Sequence, residues 1–289
     1  YVVIAEDGEG IRLLDIDNGD VLFENHSVRA SSWRLLVAAY AYPEEDLIVA
    51  ADLHGRILGL SMSDGSIEWN FNSGHGRFVG TSAEGPLLTA LTGEGFLYTL
   101  NPLDGEVLWN IRLGGLSEKA PTFHQGRLYT FSHDSVSQRL DIHGIYPYTG
   151  RTAWRLHVEG RLAGEPRFYD RWLVMPVEHE ADYKRVGIDC EAPRPEPEWK
   201  VDLTTAGMQE VTPPCFVEID GDPHCVVKTD RGQLVCVDVA SGAVRWSESR
   251  DEDVWMIGGN HPLQVVRDCL LVAGRELELR DIDTGELRH

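Results

Sequence analysis

Short apolar runs separated by turn residues cover the chain. Residues 33–72 show the pattern, with the runs "WRLLVAAYAY", "DLIVAAD", "RILGLSM" and "SIEWNFN" separated by turn residues such as "PEED", "LHG" and "SDG". Runs of this length, rich in β-branched and aromatic residues, are typical of β-strands, and no helical periodicity extends beyond two turns. Because the runs are almost continuously apolar, we expect sheets buried on both faces. The pattern predicts an all-β chain.

A turn motif recurs at a nearly constant interval. Six copies are aligned on a glycine, and a seventh carries Pro195 in the place of that glycine. The residues four positions later are 46, 40, 45, 45, 47 and 43 residues apart and comprise Phe23, Trp69, Trp109, Trp154, Trp199, Trp246 and His289. A period of about 44 residues without helices is typical of the blades of a β-propeller.

The motif has a physical explanation. A polar residue followed by glycine supplies the positive φ that a tight turn between strands requires, and proline cannot adopt that conformation. The aromatic residue four positions later begins the next strand, where it can dock between neighbouring blades and bury about 150–250 Å². We therefore expect a structural docking role for Phe23, Trp69, Trp109, Trp154, Trp199 and Trp246.

The segments "GFLYTLNPLDGEVLW" (95–109) and "GQLVCVDVASGAVRW" (232–246) resemble the pyrroloquinoline-quinone (PQQ)-type repeat with its tryptophan-docking motif. The resemblance covers the whole chain and is weakest around residues 183–199. The family includes quinoprotein dehydrogenases, the lipoprotein scaffold of outer-membrane-protein assembly, and propellers that serve as sensor or docking domains. The resemblance implies a propeller and leaves its activity open.

The repeats also predict the number of blades. Residues 1–23 supply three strands and lack the innermost one, and six complete periods follow. We expect one propeller domain over residues 1–289 with seven four-stranded blades, the first incomplete in this chain, and repeats that end near residues 23, 69, 109, 154, 199, 246 and 289. Eight blades, the alternative, would need about 65 further residues. The chain begins in mid-strand without Met, so we expect it to belong to a larger protein.

The composition narrows the choice of partners. The 47 acidic residues outnumber the 26 basic ones, for a net charge of −21. This charge argues against binding to nucleic acid, and no apolar run is long enough for membrane insertion. We expect a protein or peptide partner with a basic or apolar contact surface. The five cysteines, an odd number without a CxxC pair, favour a reducing cytoplasmic compartment over the periplasm, although Cys225 and Cys236 flank a turn and could pair across a hairpin.

Catalytic templates are missing from the sequence. The quinoprotein enzymes that this repeat resembles carry two adjacent cysteines against the cofactor and a calcium site, and neither is recognisable here. There is no nucleophile elbow, phosphate loop or zinc-binding helix. We therefore expect no catalytic residues, no cofactor and no enzyme activity.

One acidic turn offers metal-ligand chemistry. Glu178, His179, Glu180 and Asp182 crowd the segment "PVEHEADYKRV". Side chains of these types bind divalent ions. A solvated acidic turn is the simpler interpretation, because such clusters arise by chance in an acidic protein.

The predicted topology also locates an interaction face. In a propeller, the links between blades and the turns between second and third strands lie on one face. The turns carry acidic residues that include Asp52, Glu94 and Asp134, and the links carry Trp33, Arg77, Arg161, Met208, Trp255 and Met256. Trp, Met and Arg are enriched at protein interfaces. Trp33 and Trp255 are equally compatible with packing between blades.

These observations favour a non-catalytic propeller that acts as a protein-interaction, scaffold or ligand-sensing domain of a larger protein or complex. A periplasmic scaffold of the outer-membrane-assembly type is the first alternative. A PQQ-dependent, dehydrogenase-like enzyme is the second.

Overall fold

A computed structural model describes residues 2–6, 10–25, 36–52, 55–117, 119–180, 182–202, 213–229, 233–248, 263–273 and 277–288. The chain packs as two compact units, residues 1–137 with 141–155 and residues 138–140 with 156–289. Across the described residues the strands form seven antiparallel sheets, and each sheet is built from strands that are consecutive in the sequence. The predicted all-β architecture is therefore confirmed. The extent of a single domain over residues 1–289 stays a prediction.

The first unit contains three sheets and the greater part of a fourth. In the described residues the first sheet has three strands, as the sequence predicts: β1 (Val2–Glu6), β2 (Gly10–Leu14) and β3 (Val21–Asn25). The second and third sheets have four strands each, β4 (Leu36–Tyr42), β5 (Leu47–Asp52), β6 (Arg56–Ser61) and β7 (Ile67–Asn72), then β8 (Phe78–Glu84), β9 (Leu87–Thr92), β10 (Phe96–Leu100) and β11 (Val107–Arg112). A short 3-10 helix, Pro43–Glu45, links β4 to β5.

In the fourth sheet, and again in the fifth, the innermost strand is divided into two short segments. In the fourth sheet β12 (Leu116–Ser117) and β13 (Thr122–His124) both pair with β14 (Arg127–Asp134), followed by β15 (Arg139–Ile145) and β16 (Thr152–Glu159). In the fifth sheet, within the second unit, β17 (Arg161–Leu162) and β18 (Arg167–Tyr169) pair with β19 (Trp172–His179), followed by β20 (Asp182–Asp189) and β21 (Pro197–Asp202).

The last two sheets complete the second unit. The sixth has four strands, β22 (Cys215–Ile219), β23 (Asp222–Lys228), β24 (Leu234–Asp238) and β25 (Val244–Glu248). The seventh has three, β26 (Gln264–Val266), β27 (Cys269–Ala273) and β28 (Leu277–Asp281). Its fourth strand, which the repeat predicts, is represented in the described residues by one bridge between Arg280 and Leu287.

The repeated glycine turns receive the aromatic side chains as predicted. Each turn glycine has a φ between 69° and 77°. A Cβ atom at Gly65, Gly105, Gly150, Gly242 or Gly285 would lie 2.4–2.7 Å from the ring of Phe23, Trp69, Trp109, Trp199 or Trp246, respectively. The indole N–H groups of Trp109, Trp199 and Trp246 donate to backbone carbonyls of those turns at 2.7–2.9 Å. The rings of these five aromatic residues therefore lie against the glycine turn of the following repeat.

Trp154 is the one tryptophan of the series without a glycine of the following turn against its indole in the described residues. Its indole packs over Gly144 of its own sheet, and its ring centroid lies 5.8 Å from that of Tyr129. Its Nε1 is buried and forms no hydrogen bond with the described residues. One repeat later, the position of the turn glycine is occupied by Pro195. The docking of Trp154 on a following turn stays a prediction.

The hairpin disulfide that the sequence allows does not form. The register pairs Val226 with Cys236 and Cys225 with Val237, so the two cysteines point to opposite faces of the sheet. Cys225 and Cys236 belong to separate apolar clusters, and both are fully buried. All five cysteines are free. Cys225 and Cys236 therefore behave as small apolar core residues.

Candidate functional site

A cleft in the first unit forms where the third sheet meets the start of the fourth. Its volume is about 570 Å³, and its walls comprise Gly76, Arg77, Val79, Gly93, Glu94, Leu116 and Ser117. Two backbone hydrogen bonds hold the walls together, from Gly93 N to Arg77 O and from Ser117 N to Gly93 O, each at 3.1 Å. We call this site the Arg77 cleft. It contains one residue of the predicted interaction face, Arg77, and one of its acidic turn residues, Glu94.

The charged side chains of the Arg77 cleft are available to a ligand. Arg77 and Glu94 are exposed, and neither side chain forms a hydrogen bond or ion pair with any residue in the described ranges. The hydroxyl of Ser117 is buried, with the residue 3% exposed, and its Oγ has no hydrogen-bond partner among the described atoms. Leaving a buried hydroxyl unsatisfied costs about 1–3 kcal/mol. This oxygen is inaccessible from the cleft, so Arg77 and Glu94 are the charged side chains that a ligand can reach.

Arg161 occupies the same position as Arg77 in a different sheet. The segments "GRFVG" (76–80) and "GRLAG" (160–164) align, and each arginine lies at the start of an innermost strand. Arg161 is directly opposite Glu178 in the register, and its Nε and Nη2 atoms lie 2.7 and 2.6 Å from Oε2 of Glu178. The residue opposite Arg77 is Gly93, which has no side chain to bind it. Of these two predicted face residues, only Arg77 therefore lacks an ion-pair partner in its own sheet.

Two other residues of the predicted interaction face, Asp52 and Asp134, form hydrogen bonds within their own turns. Asp52 is fully buried and accepts hydrogen bonds at 2.9 Å from the backbone N–H and the Nε–H of Arg56. Asp134 accepts a hydrogen bond at 2.9 Å from the backbone N–H of Val136 and one at 2.8 Å from the hydroxyl of Ser137. Two of the acidic side chains predicted for this face therefore cap their own turns.

The weak metal-site candidate lies in the second unit. Glu178 is paired with Arg161, and Glu180 occupies the β19–β20 turn at a φ of 58°. His179 lines a cavity of about 40 Å³ together with Lys184 and Lys200. Within the described residues no group of three or more His, Cys, Asp or Glu side chains could hold a metal ion. The side chain of Asp182 lies outside the described part of the structure, so the full set of four stays a prediction.

The remaining face candidates, Trp33, Met208, Trp255 and Met256, lie outside the described residues. No helix in the described part of the chain is long and apolar enough to cross a membrane.

The described residues form seven antiparallel sheets, and aromatic rings dock on glycine turns that connect strands within a sheet, which together define a β-propeller. The profile of a protein family described as outer membrane protein assembly factor BamB matches residues 69–165. Residues 69–165 therefore carry the PQQ-like repeat of this BamB type. The resemblance and the fold class inferred from the sequence are thereby confirmed.

Solved structures show the same fold. The chain is similar to BamB from Moraxella catarrhalis at 13% identity and a TM-score of 0.60, over 100% of this chain and 87% of that one. The C-terminal WD40 domain of Sif2 matches at 11% identity and a TM-score of 0.60, over 98% and 80% of the two chains. The quinohemoprotein alcohol dehydrogenase from Comamonas testosteroni matches at 12% identity and a TM-score of 0.56, over 76% of this chain and 44% of that one. No curated protein matches the sequence.

Proposed function

We propose that this propeller is a non-catalytic interaction domain that binds a segment of a partner protein in the Arg77 cleft. The observation that supports the proposal is the presence of two exposed side chains of opposite charge, Arg77 and Glu94, in one cleft, without bonds from these side chains to the described residues. Because Arg77 and Glu94 are exposed and make no ion pair with a described residue, a ligand of complementary charge can bind them without breaking a contact inside the protein.

The lining defines the chemistry of the partner segment. Glu94 accepts hydrogen bonds from a basic side chain, and Arg77 donates two parallel hydrogen bonds to a carboxylate or one to a backbone carbonyl. Leu116, which is 55% exposed, and Val79 offer apolar contact beside these charges. The net charge of −21 attracts a basic partner over longer distances. A segment with a basic residue close to an apolar one fits the cleft.

Substitution of Gly93 by Glu tests the proposal with little risk to the fold. A Cβ atom at Gly93 would meet Val79 at 3.5 Å, an ordinary contact, and the new carboxylate would lie opposite Arg77 as Glu178 lies opposite Arg161. The protein and its variants are crosslinked in cells of the source organism, and the captured proteins are compared quantitatively. We expect at least one protein to be lost in both Gly93→Glu and Arg77→Glu.

Asn110→Glu is the matched control, because it adds one negative charge at an exposed position on β11 of the same sheet. This variant should keep the same captured proteins. If no captured protein depends on both Gly93 and Arg77, the Arg77 cleft is not the interaction site.

The non-catalytic part of the proposal has its own test. The protein is incubated with PQQ and calcium, and cofactor absorbance and reduction of a redox dye by alcohol substrates are measured. We expect neither binding nor turnover. Saturable binding with dye reduction would replace the proposal by a quinoprotein enzyme.

A periplasmic assembly scaffold is the second candidate, and the match of residues 69–165 to the BamB profile favours it. This function requires the native protein to be exported. Fractionation of source cells, with an antibody against this chain, distinguishes the periplasm from the cytoplasm. A cytoplasmic location would eliminate this candidate and leave the interaction domain unaffected.

A further inference from the structure

One of the six glycine turns differs chemically from the other five. In those five turns the first residue is Asp, Ser or Asn, and its side chain accepts a hydrogen bond at 2.6–3.2 Å from a backbone N–H two or three residues later, with Asp15, Ser61, Asn101, Asp238 and Asp281 as the acceptors. In the turn "YPYTG" (146–150) the first residue is Tyr146. The turn therefore lacks the side-chain cap of its sister turns. Departures from a local rule are concentrated at functional positions.

The indole of Trp109 and backbone hydrogen bonds fix the conformation of the YPYTG turn. The indole of Trp109 packs on Gly150 and donates a hydrogen bond of 2.7 Å to the carbonyl of Pro147. Backbone hydrogen bonds of 2.9 Å join Gly150 N to Tyr146 O and Tyr146 N to Arg151 O. A rigid base reduces the entropy lost when a ligand binds. The turn is thus suited to present its side chains to a partner.

Two tyrosine rings and two arginines surround the outer side of this turn. Tyr146 is 46% exposed and Tyr148 is 68% exposed. The guanidinium carbon of Arg127 lies 4.8 Å from the ring centroid of Tyr146. Both tyrosines and Arg151 line a groove of about 440 Å³, whose described lining contains no carboxylate although the protein carries a net charge of −21. We call it the YPYTG groove.

We propose that the YPYTG groove binds an acidic, proline-containing segment in the polyproline II conformation. Aromatic grooves bind such segments because proline rings pack flat on exposed tyrosines, and because an extended proline-rich chain loses little entropy on binding. The exposed Arg151 selects acidic residues between the prolines, since a guanidinium group binds a carboxylate with paired hydrogen bonds. It also repels a basic proline-rich ligand. The site is separate from the Arg77 cleft and does not depend on the function proposed for it.

Fluorescence polarisation with a labelled peptide of repeated Glu-Pro-Pro triplets tests this proposal. Peptides of repeated Lys-Pro-Pro and Glu-Gly-Gly triplets control for charge and for proline. We expect saturable binding of the Glu-Pro-Pro peptide alone, with a Kd in the range of about 10–100 µM. Equal binding of the Glu-Gly-Gly peptide would reduce the site to a general anion patch and overturn the proposal. Absence of Glu-Pro-Pro binding up to about 1 mM would also overturn it.

Three variants locate the binding. Tyr146→Asp restores the residue type that caps the sister turns, so its thermal unfolding temperature should equal or exceed that of the wild type. Its affinity for the Glu-Pro-Pro peptide, and that of Tyr148→Ala, should fall about tenfold or more. Leu103→Ala is the matched control, because Leu103 is the equivalent of Tyr148 in the turn "NPLDG" and is 47% exposed. Unchanged affinity in Tyr146→Asp, with its fold intact, would refute the proposal.

Discussion

Replacement of Gly242 by alanine should destabilise the protein more than the same replacement at Gly19. Both glycines occupy the same position of the repeated turn, with φ values of 72° and 77°. A Cβ atom at Gly242 would lie 2.7 Å from Cγ and Cδ2 of Trp199, whereas a Cβ atom at Gly19 would meet nothing within 4 Å. The pair therefore separates the backbone effect of the substitution from its effect on aromatic docking.

The magnitudes follow from this geometry. The left-handed conformation costs an alanine about 1–2 kcal/mol, and the reduced freedom of the unfolded chain returns about 0.4–1 kcal/mol. Gly19→Ala should therefore lower the free energy of unfolding by about 1 kcal/mol. At Gly242 the overlap with Trp199 adds about 1–3 kcal/mol of overpacking. The total loss at Gly242 should be about 2–4 kcal/mol.

Urea unfolding, monitored by tryptophan fluorescence and by circular dichroism, measures the loss in free energy of unfolding for both variants. The comparison holds if the dependence of that free energy on urea concentration is unchanged. A double-mutant cycle adds the physical cause: in a Trp199→Ala background, Gly242→Ala should cost less than in the wild type, because the ring is gone and only the Cβ atom of residue 199 still lies 2.8 Å from the new methyl group. Losses at Gly19 and Gly242 that agree within about 0.5 kcal/mol would refute the docking argument.

Further predictions concern the indole hydrogen bonds and the buried thiols. Trp199→Phe should cost about 0.5–1.5 kcal/mol more than Trp69→Phe in urea unfolding, because the Nε1 of Trp199 donates to the carbonyl of Val239 and that of Trp69 has no acceptor in the described structure; equal costs would contradict this. Iodoacetamide at neutral pH should label the half-buried Cys269 before the fully buried Cys225, and peptide mass spectrometry reads the order. Burial raises the pKa of Cys225 to about 11 from an ordinary value of 9.0, so the folded thiol stays protonated while the unfolded one ionises. Stability should therefore fall by about 1.4 kcal/mol per pH unit between those two values, and Cys225→Ala should lose this component of the alkaline sensitivity.

The fold could be predicted from the sequence because its signals are local. A polar residue and a glycine define each turn, and an aromatic residue four positions later defines the docking contact, so both are visible without knowledge of the pairing. Trp199 illustrates the strength of the rule: although its own turn carries Pro195 in place of glycine, its indole still docks on Gly242.

The candidate site was only partly predictable because it depends on strand register. The sequence treats Arg77 and Arg161 alike, and only the pairing shows that one faces Gly93 and the other Glu178. The register also decides that Cys225 and Cys236 point to opposite faces. These pairs join residues that are separated in the sequence, so the sequence pattern alone does not reveal the pairing.

Two other features could have been found by a closer comparison of the repeats. Alignment of "GRFVG" with "GRLAG" identifies the two equivalent arginines, and alignment of the turns identifies Tyr146 where the sister turns carry Asp, Ser or Asn. The burial of Asp52 has no comparable signal, because a turn aspartate is equally suited to solvent and to its own backbone.

The difference between Arg77 and Arg161 has an evolutionary consequence. Codons for glycine and glutamate can differ by a single nucleotide, and the side chain opposite the arginine takes no part in the repeated glycine turn or in aromatic docking. A point mutation at this position can therefore add or remove the ion-pair partner of the arginine in any repeat that carries one, while the scaffold stays the same. Closely related propellers could in this way bind their partners through different blades, and conservation of the fold would be a poor guide to the location of the contact.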